Sequence, residues 1–255
     1  MKKIIVATVL AAVSSSTALA ADLGARTPYI KAPAMVAVSS WSGFYIGANV
    51  GYGWGNADTR YTFLPSQADF GGANTTVDNR SRGVIGGGQI GYNWQVGSLL
   101  GGIEADLQGS GLKGSSQAPG FNLSGVSVAT LVSSEKVTWF GTVRGRLGLL
   151  ATPDVLLYAT AGLAYGQIDA SADDQGQNGN RFPGSVSKIN AGWTAGAGAE
   201  WMLARHWSAK LEYLYLDLGN VSAFGAQIPA APPFGVGYTW KTQDHIVRGG
   251  VNYHF

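Results

Sequence analysis

The chain closes on Gln243-Asp-His-Ile-Val-Arg-Gly-Gly-Val-Asn-Tyr-His-Phe255. Counted back from the end, Val247, Gly249, Val251, Tyr253 and Phe255 share one parity, and Arg248, Gly250, Asn252 and His254 share the other. A period of two specifies a β-strand, because successive side chains point to opposite faces. One face is apolar and ends in an aromatic pair, while the other carries an arginine and an amide. Hydrocarbon outside and polar side chains inside satisfy both faces. That is the pattern of a strand in an outer-membrane β-barrel.

The same alternation recurs along the chain. Strand one opens the barrel at Trp41 and puts Phe44, Ile46, Ala48, Val50, Tyr52 and Trp54 on one face, with Gly47, Asn49, Gly51 and Gly53 on the other. Strand two, about 82–96, sends Ile90, Tyr92 and Trp94 outward and Gln89, Asn93 and Gln95 inward. Gly97-Ser98 reads as a two-residue hairpin turn. Strand three, about 99–109, alternates Ile103, Ala105 and Leu107 against Glu104, Asp106 and Gln108. Strand four, about 136–150, is expected to face Val137, Trp139, Val143, Leu147 and Leu149 outward and Thr138, Thr142, Arg144 and Arg146 inward. Strand five, about 155–170, is apolar on both parities; Leu157, Ala159, Ala161, Leu163 and Tyr165 look like its outer set. Strands six (190–202) and seven (207–218) carry Thr194, Glu200, Lys210 and Glu212 on the inner parity, and 243–255 is strand eight.

Connections after strands two, four and six are a few residues, and those after one, three, five and seven are about twenty or more. Short periplasmic turns and long outer loops are the habit of bacterial barrels. The segments Asn56–Ser81, Ser171–Asn180 and Gly219–Lys241 are read as such loops, the last because Pro229, Pro232 and Pro233 disfavour strand interior. The expected fold is therefore all-β: an eight-stranded antiparallel, up-and-down transmembrane barrel over residues 41–255.

Composition bounds the alternatives. Lys2 and Lys3, the apolar run Ile4–Val13 and the small residues ending at Ala20 have the form of a signal peptide (residues 1–20), with cleavage expected between Ala20 and Ala21. Residues 21–40, with Pro28 and Pro33, read as a periplasmic linker. Without Lys2 and Lys3, fifteen basic and fifteen acidic residues remain, so no electrostatic reason exists to expect nucleic acid. There is no cysteine, which excludes disulfides and thiolate metal sites.

The stretches Trp41-Ser-Gly-Phe-Tyr-Ile-Gly-Ala-Asn-Val-Gly-Tyr-Gly-Trp54 and Val247–Phe255 resemble the small alphaproteobacterial outer-membrane β-barrel proteins, the porin-like major surface antigens of roughly 25 to 31 kDa. Gly88–Trp94 and Trp207–Tyr213 are similar to the same family's second and seventh strands. The resemblance implies an eight-stranded barrel of the OmpA and OmpX type, located in the outer membrane of a Gram-negative bacterium. The peptidoglycan-binding domain of OmpA is missing here, so cell-wall anchoring is not implied. Some relatives bind haemin, but no residues in this sequence define such a site.

Three sets of residues are candidates for function. Glu104, Asp106, Arg144, Arg146, Glu200, Lys210, Glu212 and Arg248 fall on inner parities, four acids with four bases. They form either a neutralising network filling a narrow barrel or the lining of a small pore; eight strands leave an interior just wide enough for side chains. Val251, Tyr253 and Phe255 resemble the signal by which the barrel-assembly machinery recognises its substrates. The four long loops are candidates for contact with lipopolysaccharide, phage or host molecules, and outer-membrane lipids and lipopolysaccharide are expected partners of the barrel. His206, His245 and His254 are expected to lie apart, and Ser208, His254 and an inward carboxylate could be arranged as a catalytic set, but no sequence spacing selects them. No catalytic, cofactor or metal site is expected. The function expected is a non-catalytic, envelope-structural and surface-exposed role, with a narrow porin as the alternative.

Overall fold

A computed structural model describes residues 40–64, 75–121, 126–229 and 234–255. The expected leader and cleavage site, and the linker apart from Ser40, lie outside the described residues. Among the described residues ten strands form: β1 (Gly43–Leu64), β2 (Thr75–Val77), β3 (Arg80–Val96), β4 (Leu99–Ser110), β5 (Lys113–Phe121), β6 (Ser127–Thr152), β7 (Val155–Gly176), β8 (Gly184–Ala204), β9 (Trp207–Ala226) and β10 (Gly235–His254). Eight of them close a ring, because β1 pairs antiparallel with both β3 and β10. Closure leaves the ring without an unpaired edge, as a lipid-embedded sheet requires. The remaining two, β2 and β5, are short additions on β1 and on the upper part of β6.

The periplasmic turns fall where the sequence puts them. Gly97, with φ of 61°, supplies the left-handed residue of the β3–β4 turn. Pro153-Asp154 and Arg205-His206 make the other two.

The strands are much longer than the membrane requires. Six of the ring strands run to twenty residues or more, whereas a tilted strand crosses hydrocarbon in about 9–11. Segments read as loops are therefore largely strand: β1 continues to Leu64, β7 to Gly176, β9 to Ala226, and β10 starts at Gly235. Pro229, Pro232 and Pro233 fall in the connection between β9 and β10, outside both strands.

This extra length carries the opposite polarity. In the lower half, outward side chains such as Val50, Ile90, Leu107, Leu147 and Leu163 are exposed and apolar. Above the level of Trp54 and Trp139 the exposed outward residues include Asn56, Arg60, Thr130, Lys136, Asn220, Ser222 and Lys241. The apolar residues now point inward: Tyr61, Leu131, Ile168, Leu216, Tyr238 and Trp240 belong to one buried cluster. The lower barrel is built for lipid and the upper barrel for water.

One face switch has a local cause. The β6–β7 register shifts between Val137 and Trp139, so Thr138 is a bulge residue. Val137, expected to face outward, is buried in the interior, and Thr138, expected inside, bonds Asp169 at 2.8 Å. Below the bulge the expected parity holds. Strand β7 also takes a definite register: Leu157 and Leu163 face out, and Leu156, Tyr158 and Ala164 are buried.

Candidate functional site

The lower interior is filled by charge. Antiparallel pairing puts Glu104 opposite Arg144 and Glu200 opposite Lys210, and Arg248 opposite Glu212. All eight residues of the charged set are almost fully buried. Glu104 is the hub: it bonds Arg144, accepts two hydrogen bonds from Lys210 Nζ (3.0 and 2.8 Å) and one from Tyr45 Oη (2.8 Å). Arg144 also reaches Asp106 and Glu212, each at 3.0 Å. Arg248 bridges Asp106 at 2.9 Å and Glu212 at 2.6 Å. Arg146 pairs with Glu200 at 2.7 Å, donates to Tyr45 Oη at 2.7 Å and lies 4.0 Å above the Tyr158 ring. Each cation therefore has at least one carboxylate partner, as charges removed from water demand.

Gly91 makes room for this packing. A Cβ there would sit 2.3 Å from Tyr45 Cζ, so the ring that bonds Glu104 and Arg146 lies against bare backbone.

Both ends of the network are closed. Beneath it Trp41 is fully buried and packs with Leu100, Leu156 and Tyr158. Its indole Nε1 donates to Pro153 O at 3.0 Å, and its backbone N–H donates to Gln95 Oε1 at 3.0 Å. Above it sits the apolar cluster of the upper barrel, with polar side chains paired inside it. Thr242 donates to Glu135 at 2.6 Å, Ser81 donates to Asp244 at 2.5 Å, and Trp240 Nε1 donates to Ser133 at 3.1 Å. Higher still, a cavity of about 430 Å³ opens at the extracellular mouth, lined by Phe63, Phe121, Phe182 and Phe234 with Asp174 among them. It does not continue into the charged interior.

In the sequence Trp41 stands only at the start of a strand, and nothing in the alternation marks it as a plug. The histidines are also less scattered than expected. His206 Nδ1 lies 2.9 Å from His254 O, because the short turn before β9 returns the chain beside the end of β10. His245 stands apart, stacked on Trp54 and 2.7 Å from Tyr213 Oη.

Ser208, His254 and Glu200 do meet at the periplasmic end. Ser208 donates to Glu200 at 2.5 Å and lies 2.9 Å from His254 Nε2, which is itself 3.5 Å from Glu200. A catalytic triad needs the acid on one imidazole nitrogen and the nucleophile on the other. Here both partners share Nε2, and the buried hydroxyl gives its proton to the carboxylate. The cluster is a knot of hydrogen bonds. Among the described residues, no group of three or more His, Cys, Asp or Glu is placed to hold a metal.

Outside, aromatic side chains band the two membrane levels. Phe44 packs on Tyr92, and Tyr253 on Trp207 and Phe255, at the periplasmic side. Trp139 packs on Tyr165, and Trp193 on Tyr215, at the extracellular side. Amphipathic rings favour these interfaces. The sequence matches the family described as outer membrane protein beta-barrel domain over residues 6–255.

The chain belongs to that family. It is an outer-membrane β-barrel protein. It is 38% identical over the full length of both chains to the 31 kDa outer-membrane immunogenic protein of Brucella melitensis. It is 30% identical to the 25 kDa outer-membrane immunogenic protein of Brucella abortus, across 94% of this chain and 92% of that one. Among solved structures it is similar to the outer membrane protein OprG of Pseudomonas aeruginosa, with a TM-score of 0.48, 13% identity and coverage of 86% of this chain and 99% of that one.

Proposed function

We propose that this barrel is a non-conducting, non-catalytic surface protein that reinforces the outer membrane and presents its extracellular half to the surroundings. The supporting observation is the interior. Four cations and four carboxylates interlock across the lower lumen, with Trp41 below and an apolar core above. A solute path would have to break several buried ion pairs, each break costing about 3–5 kcal/mol. The test is conductance in planar lipid bilayers. Purified, refolded protein is expected to give no steady current in molar salt. A stable wild-type current that changes in Arg144→Ala or Glu104→Ala would replace this reading with that of a narrow porin. The absence of catalysis is supported by the shared-nitrogen geometry at Ser208, His254 and Glu200. We assign a second role to β10: Val251, Tyr253 and Phe255 form the outward face read by the barrel-assembly machinery. The support is that this face ends in packed aromatics, Tyr253 against Trp207 and Phe255.

A further inference from the structure

Just above the extracellular aromatic band, the outer wall carries a row of cations. Arg82 lies opposite Trp54 across the β1–β3 ladder, and opposite Lys113 across the bridge from β3 to β5. Lys113 in turn lies opposite Lys136. Arg80 extends the row on the same face of β3, and all four side chains are exposed. Directly opposed residues hold their Cβ atoms about 4.5–5.5 Å apart, and like charges so placed are destabilising. Among the described residues none of the four takes part in a salt bridge. Asp169, opposite Lys136, offsets part of this charge while also accepting from Thr138 (2.8 Å), Ser187 (2.5 Å) and Gln167 (3.2 Å); among the described residues no carboxylate pairs with Arg80, Arg82 or Lys113. Glu135 points inward to Thr242.

The juxtaposition is built, not incidental. The crossing segment before β5 runs over Gly83, where a Cβ would meet Gly111 O at 2.1 Å. Only glycine lets that segment approach closely enough to bring Lys113 beside Arg82. The row borders a groove of about 970 Å³ that includes Ser115, Ser134, Ser171 and Ser187. Beside and below it the wall is greasy: Trp54, opposite Arg82, is 44% exposed, and Val84, two residues down from Arg82, is 61% exposed.

We infer that the Arg80–Arg82–Lys113–Lys136 row is a binding site for the phosphates of a phosphorylated outer-leaflet glycolipid, whose acyl chains lie along Val84 and Trp54. Cations at this level, exposed hydroxyls beside them and apolar wall beneath match a molecule with clustered phosphate above and hydrocarbon below. A free phosphate would use the cations but gain nothing from the greasy strip. This site deepens the surface role proposed above. It depends on membrane placement and not on the closed interior, so a conducting barrel would leave it standing.

The experiment is binding in detergent micelles, followed by native mass spectrometry, with folding checked by heat-modifiable gel migration. The probes are bis-phosphorylated lipid A, the same lipid after phosphatase treatment, and inorganic pyrophosphate. Each Lys or Arg near such a surface contributes about five-fold in affinity, so Arg82→Gln/Lys113→Gln is expected to bind the phosphorylated lipid at least about ten-fold more weakly. The control Arg205→Gln/Lys241→Gln removes two exposed cations elsewhere and is expected to bind as wild type. Equal affinity of wild type and the Arg82/Lys113 variant would overturn the site. Equal binding of the dephosphorylated lipid would overturn its phosphate chemistry, and pyrophosphate binding as tightly as the lipid would overturn the lipid source.

Discussion

At the scale of single residues, Glu104 carries more of the interior than any other side chain. It faces Lys210, Arg144, Arg146 and Arg248 and accepts from Tyr45. Glu104→Ala is expected to destabilise the barrel by about 3–5 kcal/mol, because buried cations are left short of a partner. Urea unfolding in micelles measures it. Combining it with Lys210→Met should recover part of the loss, and a cost below about 1 kcal/mol would mean water reaches the network. Asp174, on the water-facing upper barrel, predicts a pH effect. Burial, and then the neighbouring Asp173 carboxylate, push its carboxyl up to about 6. The folded state thus holds this proton more tightly than the unfolded chain, so stability falls as pH rises from about 4 to about 6 and is level above. Asp174→Asn should stabilise the protein at pH 7.5 and have little effect at pH 4, read as thermal midpoints. The opposite ordering would contradict the burial of Asp174. The eight interior charges were legible because inward parity is strict where one face must be apolar. Trp41 was not, since a plug is defined by what it covers across the barrel, not by its place in an alternation.

At the scale of elements, the membrane-crossing part of each strand could be read from alternation, and its continuation could not. In β1 the apolar parity runs from Phe44 to Trp54 on even positions, then passes to Ala57, Tyr61 and Phe63 on odd ones. An expectation of one greasy face throughout treats that change as the end of the strand. The bulge at Thr138 hid Val137 for the same reason: one inserted residue exchanges the two faces. Strand β10 shows both polarities, with Tyr238 and Trp240 inward above and Val247, Val251 and Phe255 outward below. If its lower face is the assembly signal, deleting Phe255 should cut the amount of folded barrel in the outer membrane several-fold and raise periplasmic degradation. Pulse-chase fractionation reads both. Normal membrane levels of the truncated protein would remove β10 from that role.

For the whole molecule, two barrels of opposite polarity share one set of strands. The lower one faces hydrocarbon and neutralises charge within; the upper one faces water and buries an apolar core. A continuous ring of hydrogen bonds makes the change possible without an edge, and the aromatic bands mark where it happens. The measurement that tests this most directly is spin-label accessibility along the outward positions of β1 in lipid nanodiscs, at Ala48, Val50, Trp54, Asp58 and Arg60. Oxygen, which concentrates in hydrocarbon, should relax labels at Ala48 and Val50 most. A water-soluble nickel complex should take over at Asp58 and Arg60, with the crossover near Trp54. Oxygen dominating at Asp58 and Arg60, or nickel reaching Val50, would contradict a lipid-facing lower barrel joined to a water-facing upper one.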